Sequence, residues 1–136
     1  MKIIVGGAGS VGKSIVAYLS RGNNDVAVVD EDERKLNEVA REWDVMPVLG
    51  SVAHPDVLQK AEAGKSDLLI AATESDEVNM IACQAAYSLF NVPRKVARIS
   101  ARWIWRFPPN MKLPAPSNGC FSFRAFPAFI RLPAKS

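Results

Sequence analysis

At 136 residues, with 49% hydrophobic composition, the chain has the size and core content of one folded domain, which excludes an intrinsically disordered protein. The net charge of +3 conceals an asymmetry: residues 1–100 hold 11 basic and 14 acidic side chains, whereas residues 101–136 hold 6 basic and none acidic. The body is therefore mildly acidic and lacks the broad basic footprint that nucleic-acid binding requires.

In chain order, residues 2–6 (Lys2-Ile3-Ile4-Val5-Gly6) form a short apolar run suited to a strand buried on both faces of a parallel sheet. Gly7-Ala8-Gly9-Ser10-Val11-Gly12 follows at once. In such a Gly-x-Gly-x-x-Gly turn, Gly7 permits the bend, Gly9 lets a pyrophosphate approach bare backbone, and Gly12 lets the next helix pack closely on the sheet. The helix over residues 10–19, with Val11, Ile15 and Leu19 at helical spacing, directs its free N–H groups toward that phosphate position. Residues 7–14 also satisfy the Gly-x-x-x-x-Gly-Lys-Ser pattern of a triphosphatase phosphate loop, with Lys13 and Ser14 as its functional pair. Order and spacing favour the dinucleotide reading. Asp30 closes the second strand (residues 25–30) 18 residues after Gly12, near the interval expected for the acid that grips an adenosine ribose.

The charged run Glu31-Asp32-Glu33-Arg34-Lys35 opens a second helix with Leu36, Val39, Ala40 and Trp43 on its apolar face. Residues 45–49 read as the third strand, with Pro47 favouring an edge position. Gly50-Ser51 ends that strand, and His54-Pro55 introduces a short helix closed by Gly64. His54, although the only histidine, stands at a helix start without motif partners, which suits a structural or solvent-facing role. Residues 67–72 form the fourth strand, and Thr73-Glu74-Ser75-Asp76 is a polar loop at the same carboxyl edge as the glycine turn. A long helix to Phe90 is expected to turn Val78, Ile81, Ala82, Ala85 and Leu89 inward, with Asn91-Val92-Pro93 stopping it before a fifth strand over residues 95–99. The alternation predicts an α/β, Rossmann-type doubly wound parallel sheet of order 3-2-1-4-5.

No apolar run reaches the ~18 residues of a membrane span, and the first strand starts without a charged-then-apolar leader, so a cytoplasmic location is expected. Cys83 and Cys120 stand far apart, indicating neither a disulfide nor a metal site.

The segments Gly7–Gly12, Val29-Asp30, Gly50-Ser51, His54-Pro55-Asp56-Val57-Leu58 and Thr73-Glu74-Ser75-Asp76-Glu77-Val78-Asn79 together resemble the NAD-binding regulatory subunit of bacterial Trk potassium-uptake systems, over about residues 1–100. The resemblance implies a nucleotide-sensing, non-enzymatic module that binds NADH or NAD+ and controls a membrane potassium channel or transporter. Such a module is peripheral on the inner face of the membrane, and family members are homo-oligomers. It further implies that Gly7, Gly9, Ser10, Val11 and Gly12 cradle the phosphates, that Asp30 takes the adenosine ribose, and that Thr73, Asp76 and Asn79 lie toward the far part of the dinucleotide. No catalytic residue is assigned: Tyr18 and Tyr87 each lack a lysine four residues on, and no substrate domain follows, which weighs against the alternative of an NAD-dependent oxidoreductase fragment.

The likeness stops near Ile99. Residues 101–136 hold six of the nine prolines, five of the six phenylalanines and two of the three tryptophans, with no sustained period after Trp105. An irregular tail that truncates the fold and leaves the fifth strand's edge open is the expectation, a frame shift or gene fragment being one origin. The rival is that Arg102-Trp103-Ile104-Trp105-Arg106-Phe107 touches a membrane surface or partner.

Overall fold

The computed structural model describes residues 1–99, 103–107 and 129–131. Its elements are β1 (Lys2–Gly6), α1 (Ser10–Ser20), β2 (Asp25–Asp30), α2 (Glu33–Glu42), β3 (Met46–Leu49), α3 (Pro55–Lys60), a 3-10 turn (Ala63–Lys65), β4 (Leu68–Ala71), α4 (Asp76–Phe90), β5 (Arg94–Ile99), β6 (Trp103–Phe107) and β7 (Phe129–Arg131). The sheet order is β3-β2-β1-β4-β5-β6-β7, and the first five strands are parallel in the expected order. The winding reverses at β1, so the crevice outside the carboxyl ends of β1 and β4 is where ligands bind in such sheets.

Strand alternation sorts the core into two layers. Ile3, Val5, Val26 and Val28 meet Val16 of α1 and Leu36 and Val39 of α2, while Ile4, Ala27, Val29, Leu69 and Ala97 meet Leu58 of α3 and Met80, Ala82, Cys83 and Ala86 of α4. β1 is thus buried on both faces, the reason its sequence is an unbroken apolar run. β3 sits at the sheet's edge with Pro47 exposed, where the missing donor costs no ladder bond. His54 is the exposed N-cap of α3, followed by Pro55 at the first helical position.

Three expectations are corrected. On α2, Leu36 and Val39 are buried and Trp43 is half-buried, but Ala40 is exposed. On α4 the inward face is Asn79, Met80, Ala82, Cys83 and Ala86, with the expected Val78 and Ala85 half-buried against the core, while Ile81 and Leu89 are 46% and 59% exposed. The small Ala82, Cys83 and Ala86 let α4 approach the sheet closely, and Asn79 turns inward because it finds hydrogen-bond partners there. Finally, β5 has no open edge: β6 pairs with it antiparallel, Lys95 opposite Phe107 and Ile99 opposite Trp103, and β7 pairs antiparallel with β6. The remainder of the expected irregular tail, including Arg102 of its basic aromatic segment and Cys120, lies outside the described residues.

Lys95 is 1% exposed, its ammonium donating to the Val92 carbonyl and standing 5.0 Å from the centre of the Tyr87 ring. Burial lowers the pKa of this amine, and burial raises that of the neighbouring Cys83 thiol, a free and inert cysteine. A lysine depressed in the folded state but normal in the unfolded one holds fewer protons when folded, so its charge cost is present at neutral pH and fades as pH rises through the depressed value toward 10.5. Relative to Lys95→Met, the wild-type chain is therefore expected to gain stability as pH approaches 10.5, measured by urea unfolding at stepped pH. A constant difference would mean that the Val92 and Tyr87 contacts already offset the burial of the charge.

Candidate functional site

The chain leaves β1 at Gly7 with φ +107°, where a Cβ would stand 2.7 Å from the Ala72 carbonyl oxygen. Only glycine fits this left-handed, crowded bend. The turn is stitched to both neighbouring strands, Gly7 N–H donating to Val29 O and Ala72 N–H donating to Gly6 O, each at 2.7 Å. At Gly12 a Cβ would come within 1.9 Å of the Gly7 carbonyl oxygen, so α1 lies against the turn itself. Gly9 differs: a Cβ there meets nothing within 4 Å, and its backbone (φ −76°, ψ −165°) suits any residue. The empty space lies where a phosphate group would pass. α1 begins beside it with no capping side chain and no acid in its first turn, whereas α2 is capped by Asp32 and α4 by Ser75. Its first N–H groups and dipole are left for an anion.

A cleft of about 340 Å³ opens over this turn. It brings together Gly7, Gly9, Ser10, Val11, Asp30 and Thr73 of the expected residues. Gly12 lies beneath the turn, and neither Asp76 nor Asn79 lines the cleft. The wall also contains Glu31 and Lys35 beyond β2, Gly50 and Ser51 beyond β3, and Arg98 near the end of β5. These were not assigned as site residues from the sequence, although the signal was available: each follows or ends a parallel strand at its carboxyl edge. A wider depression of about 590 Å³ between Met1, Asn24 and Val45 contains none of the motif residues.

Asp30 is engaged through both carboxylate oxygens. One carboxylate oxygen accepts from Ala8 N–H at 2.8 Å and the other from Asp32 N–H at 2.7 Å, so the acid braces the glycine turn from the end of β2. Each oxygen retains a further lone pair for an incoming hydroxyl. Lys13 turns the other way, pairing with Glu38 on α2. The hydrogen bond between them raises the pKa of the Lys13 amine and lowers that of the Glu38 carboxyl. Ser14 Oγ donates back to Ser10 O at 3.0 Å. A triphosphatase loop needs this lysine on phosphate and this hydroxyl on magnesium, and neither points there. Lys13→Ala is accordingly expected to change nucleotide affinity less than about threefold, as for an exposed pair. Magnesium-dependent ATP hydrolysis that disappears with this substitution would restore the phosphate-loop reading.

Comparison with known proteins agrees with the architecture. The family model described as the TrkA-N domain matches residues 3–102. The chain belongs to the TrkA-N domain family. It is 49% identical over 102 residues to the Trk system potassium uptake protein TrkA of Azorhizobium caulinodans, an alignment covering 75% of this chain and 22% of that protein. The chain thus matches about a fifth of the length of that relative. Among solved structures, the NAD(P)-binding domain of an exopolyphosphatase-related protein from Archaeoglobus fulgidus aligns over 73% of each chain at 20% identity, with a TM-score of 0.63. The GsuK channel bound to NAD aligns over 68% of this chain and 17% of its own at 22% identity, with a TM-score of 0.59. At these identities the likeness concerns the fold, and it is the Rossmann-type arrangement of the five parallel strands.

Proposed function

We propose that this TrkA-N domain binds NAD(H) in the cleft over the glycine turn and acts as a nucleotide-sensing regulatory module of a potassium-uptake system. The observation that carries the reading is the open space at Gly9 between the uncapped start of α1 and the carboxylate of Asp30. It has the form of a pyrophosphate position beside a ribose acid. Gly7, Gly9, Ser10 and Val11 would hold the phosphates with Gly12 supporting them, Asp30 the adenosine ribose, and Thr73 the far part of the dinucleotide. Asp76 and Asn79 act from α4 behind that far wall.

The potassium assignment rests on membership of a family whose curated relatives are named for potassium uptake. In this reading the partner is a membrane potassium channel or transporter subunit, the module sits peripherally on the inner face of the membrane, and copies of it associate as family members do. Among the described residues no helix is long and apolar enough to cross a membrane. The non-enzymatic role in this reading follows the relatives, which are named for potassium uptake; among the described residues the cleft's lining holds carboxylates, a lysine and an arginine and no histidine, tyrosine or cysteine. Regulation then follows from differential affinity: whichever shape of the assembly binds NAD(H) better is populated by it, and the transporter's gate is biased accordingly.

Titration of the purified chain with NADH, NAD+, ADP and ATP tests the proposal. Saturable NADH binding, competed by NAD+, is expected. Absence of saturable binding of either dinucleotide up to about 1 mM, a free energy weaker than ~4 kcal/mol, would overturn it.

A further inference from the structure

Asn79 is fully buried in the first turn of α4, on a helix face otherwise made of apolar side chains. Its carboxamide is saturated. Oδ1 accepts from the Thr73 N–H at 2.9 Å and from Thr73 Oγ1 at 2.6 Å, while Nδ2 donates to Thr73 O at 3.1 Å and to Arg98 O at 2.7 Å. A primary amide has two donors and two acceptor positions, and all four are used within the protein. The side chain therefore has nothing to offer a ligand.

Its partners do. Thr73 follows β4, Arg98 stands near the end of β5, and both line the cleft. Thr73 Oγ1, whose single proton goes to Asn79, further organises its own turn by accepting from Ser75 N–H at 3.3 Å. Arg98 itself lines the cleft, and among the described residues its side chain makes no ion pair. The opposite wall is tethered separately: Asp30 is held by Ala8 and Asp32 and shares no hydrogen bond with Asn79. Taking the nucleotide reading of the cleft as given, we infer that Asn79 is a positioning residue for the far wall alone, clamping the Thr73 turn to Arg98 so that the half of a dinucleotide beyond the adenosine finds a preformed surface.

Two walls with separate tethers imply two separable affinities. AMP reaches the glycine turn and Asp30, whereas NADH also spans to Thr73 and Arg98. In the full chain, Asn79→Leu, which keeps the branched outline and removes all four bonds, is expected to weaken NADH binding at least tenfold while AMP affinity changes less than about twofold. Asn79→Asp retains the acceptor for the Thr73 amide and hydroxyl and loses both donations, to Thr73 O and to Arg98 O. It is expected to show a smaller loss in the same sense, and it carries the test should the leucine variant fail to fold. A role in stability alone would lower the melting temperature without moving the ratio of the two affinities, so calorimetric titration of both ligands is run beside thermal unfolding. Wild-type binding with both affinities falling together, or with NADH affinity unchanged in the variants, overturns the positioning role. Wild-type chain that binds neither ligand overturns the nucleotide reading on which it rests.

Discussion

Gly9→Val is expected to abolish nucleotide binding in a chain that still folds, and Gly12→Ala three residues later is expected to destabilise the fold strongly. The contrast comes from what each new side chain meets. At Gly9 a Cβ enters open space and the backbone is already in a region valine adopts, so the stability change should stay below ~1 kcal/mol, the scale of an altered N-cap. That open space is where the pyrophosphate would lie, and filling it removes both the approach to bare backbone and the room for phosphate oxygens. A loss of at least about a hundredfold in NADH affinity, ~2.7 kcal/mol, should follow. At Gly12 the added methyl would sit 1.9 Å from the Gly7 carbonyl oxygen, a backbone atom in a bend that hydrogen bonds to β2 hold in place. α1 must then lift from the sheet, exposing Val16 and the layer beneath it. A cost of ~3 kcal/mol or more is expected, a large share of the ~5–15 kcal/mol available to a domain, with a fall of about 10 °C or more in melting temperature. Circular dichroism melts together with NADH titration separate the two outcomes. Gly9→Val that binds NADH like the wild type would place the ligand elsewhere.

Substitution of Asp30 should move stability and specificity together, because the acid braces the glycine turn and, in the proposed reading, takes the adenosine ribose. Asp30→Ala leaves the N–H of fully buried Ala8 without its acceptor, a loss of ~1–2 kcal/mol in unfolding free energy. It also removes the acceptor for two ribose hydroxyls, and NADH affinity should fall by a further ~1.5–3 kcal/mol, the range of a charge-assisted hydrogen bond. Asp30→Asn keeps an oxygen for Ala8 and discards the charge that repels a 2′-phosphate. It should restore most of the stability while raising NADPH affinity relative to NADH by about tenfold, equivalent to ~1.4 kcal/mol. Urea unfolding and parallel titrations read the two effects independently. If Asp30→Ala lost stability but bound NADH unchanged, the carboxylate would be a brace and nothing more.

What could be read from the chain alone is whatever is encoded by neighbours in sequence. The glycine turn, β2 ending at Asp30 and the edge position of Pro47 depend on local backbone demands and on a two-residue alternation, and each stands where it was expected. The order of the five parallel strands followed because each crossover must be right-handed and short, which leaves few arrangements for alternating strands and helices. Membership of the TrkA-N family was likewise legible, since it rests on segments in a fixed order.

Tertiary structure decided the rest, and the reason in each case is a partner distant in sequence. Hydrophobic spacing turned Ile81 and Leu89 of α4 inward, but Asn79 finds Thr73 six residues away and Arg98 nineteen away, and satisfying its amide helps set the face the helix presents. Lys13 was ambiguous between phosphate and packing until Glu38, twenty-five residues on, drew it across to α2. The antiparallel strand Trp103–Phe107 was not foreseen, because pairing along the edge of β5 satisfies backbone groups and requires no period in its side chains. Local sequence thus determined the five parallel strands, their helices and the glycine turn. The far wall of the cleft, where Asn79 joins two strand ends, was decided only when the folded sheet brought those ends together.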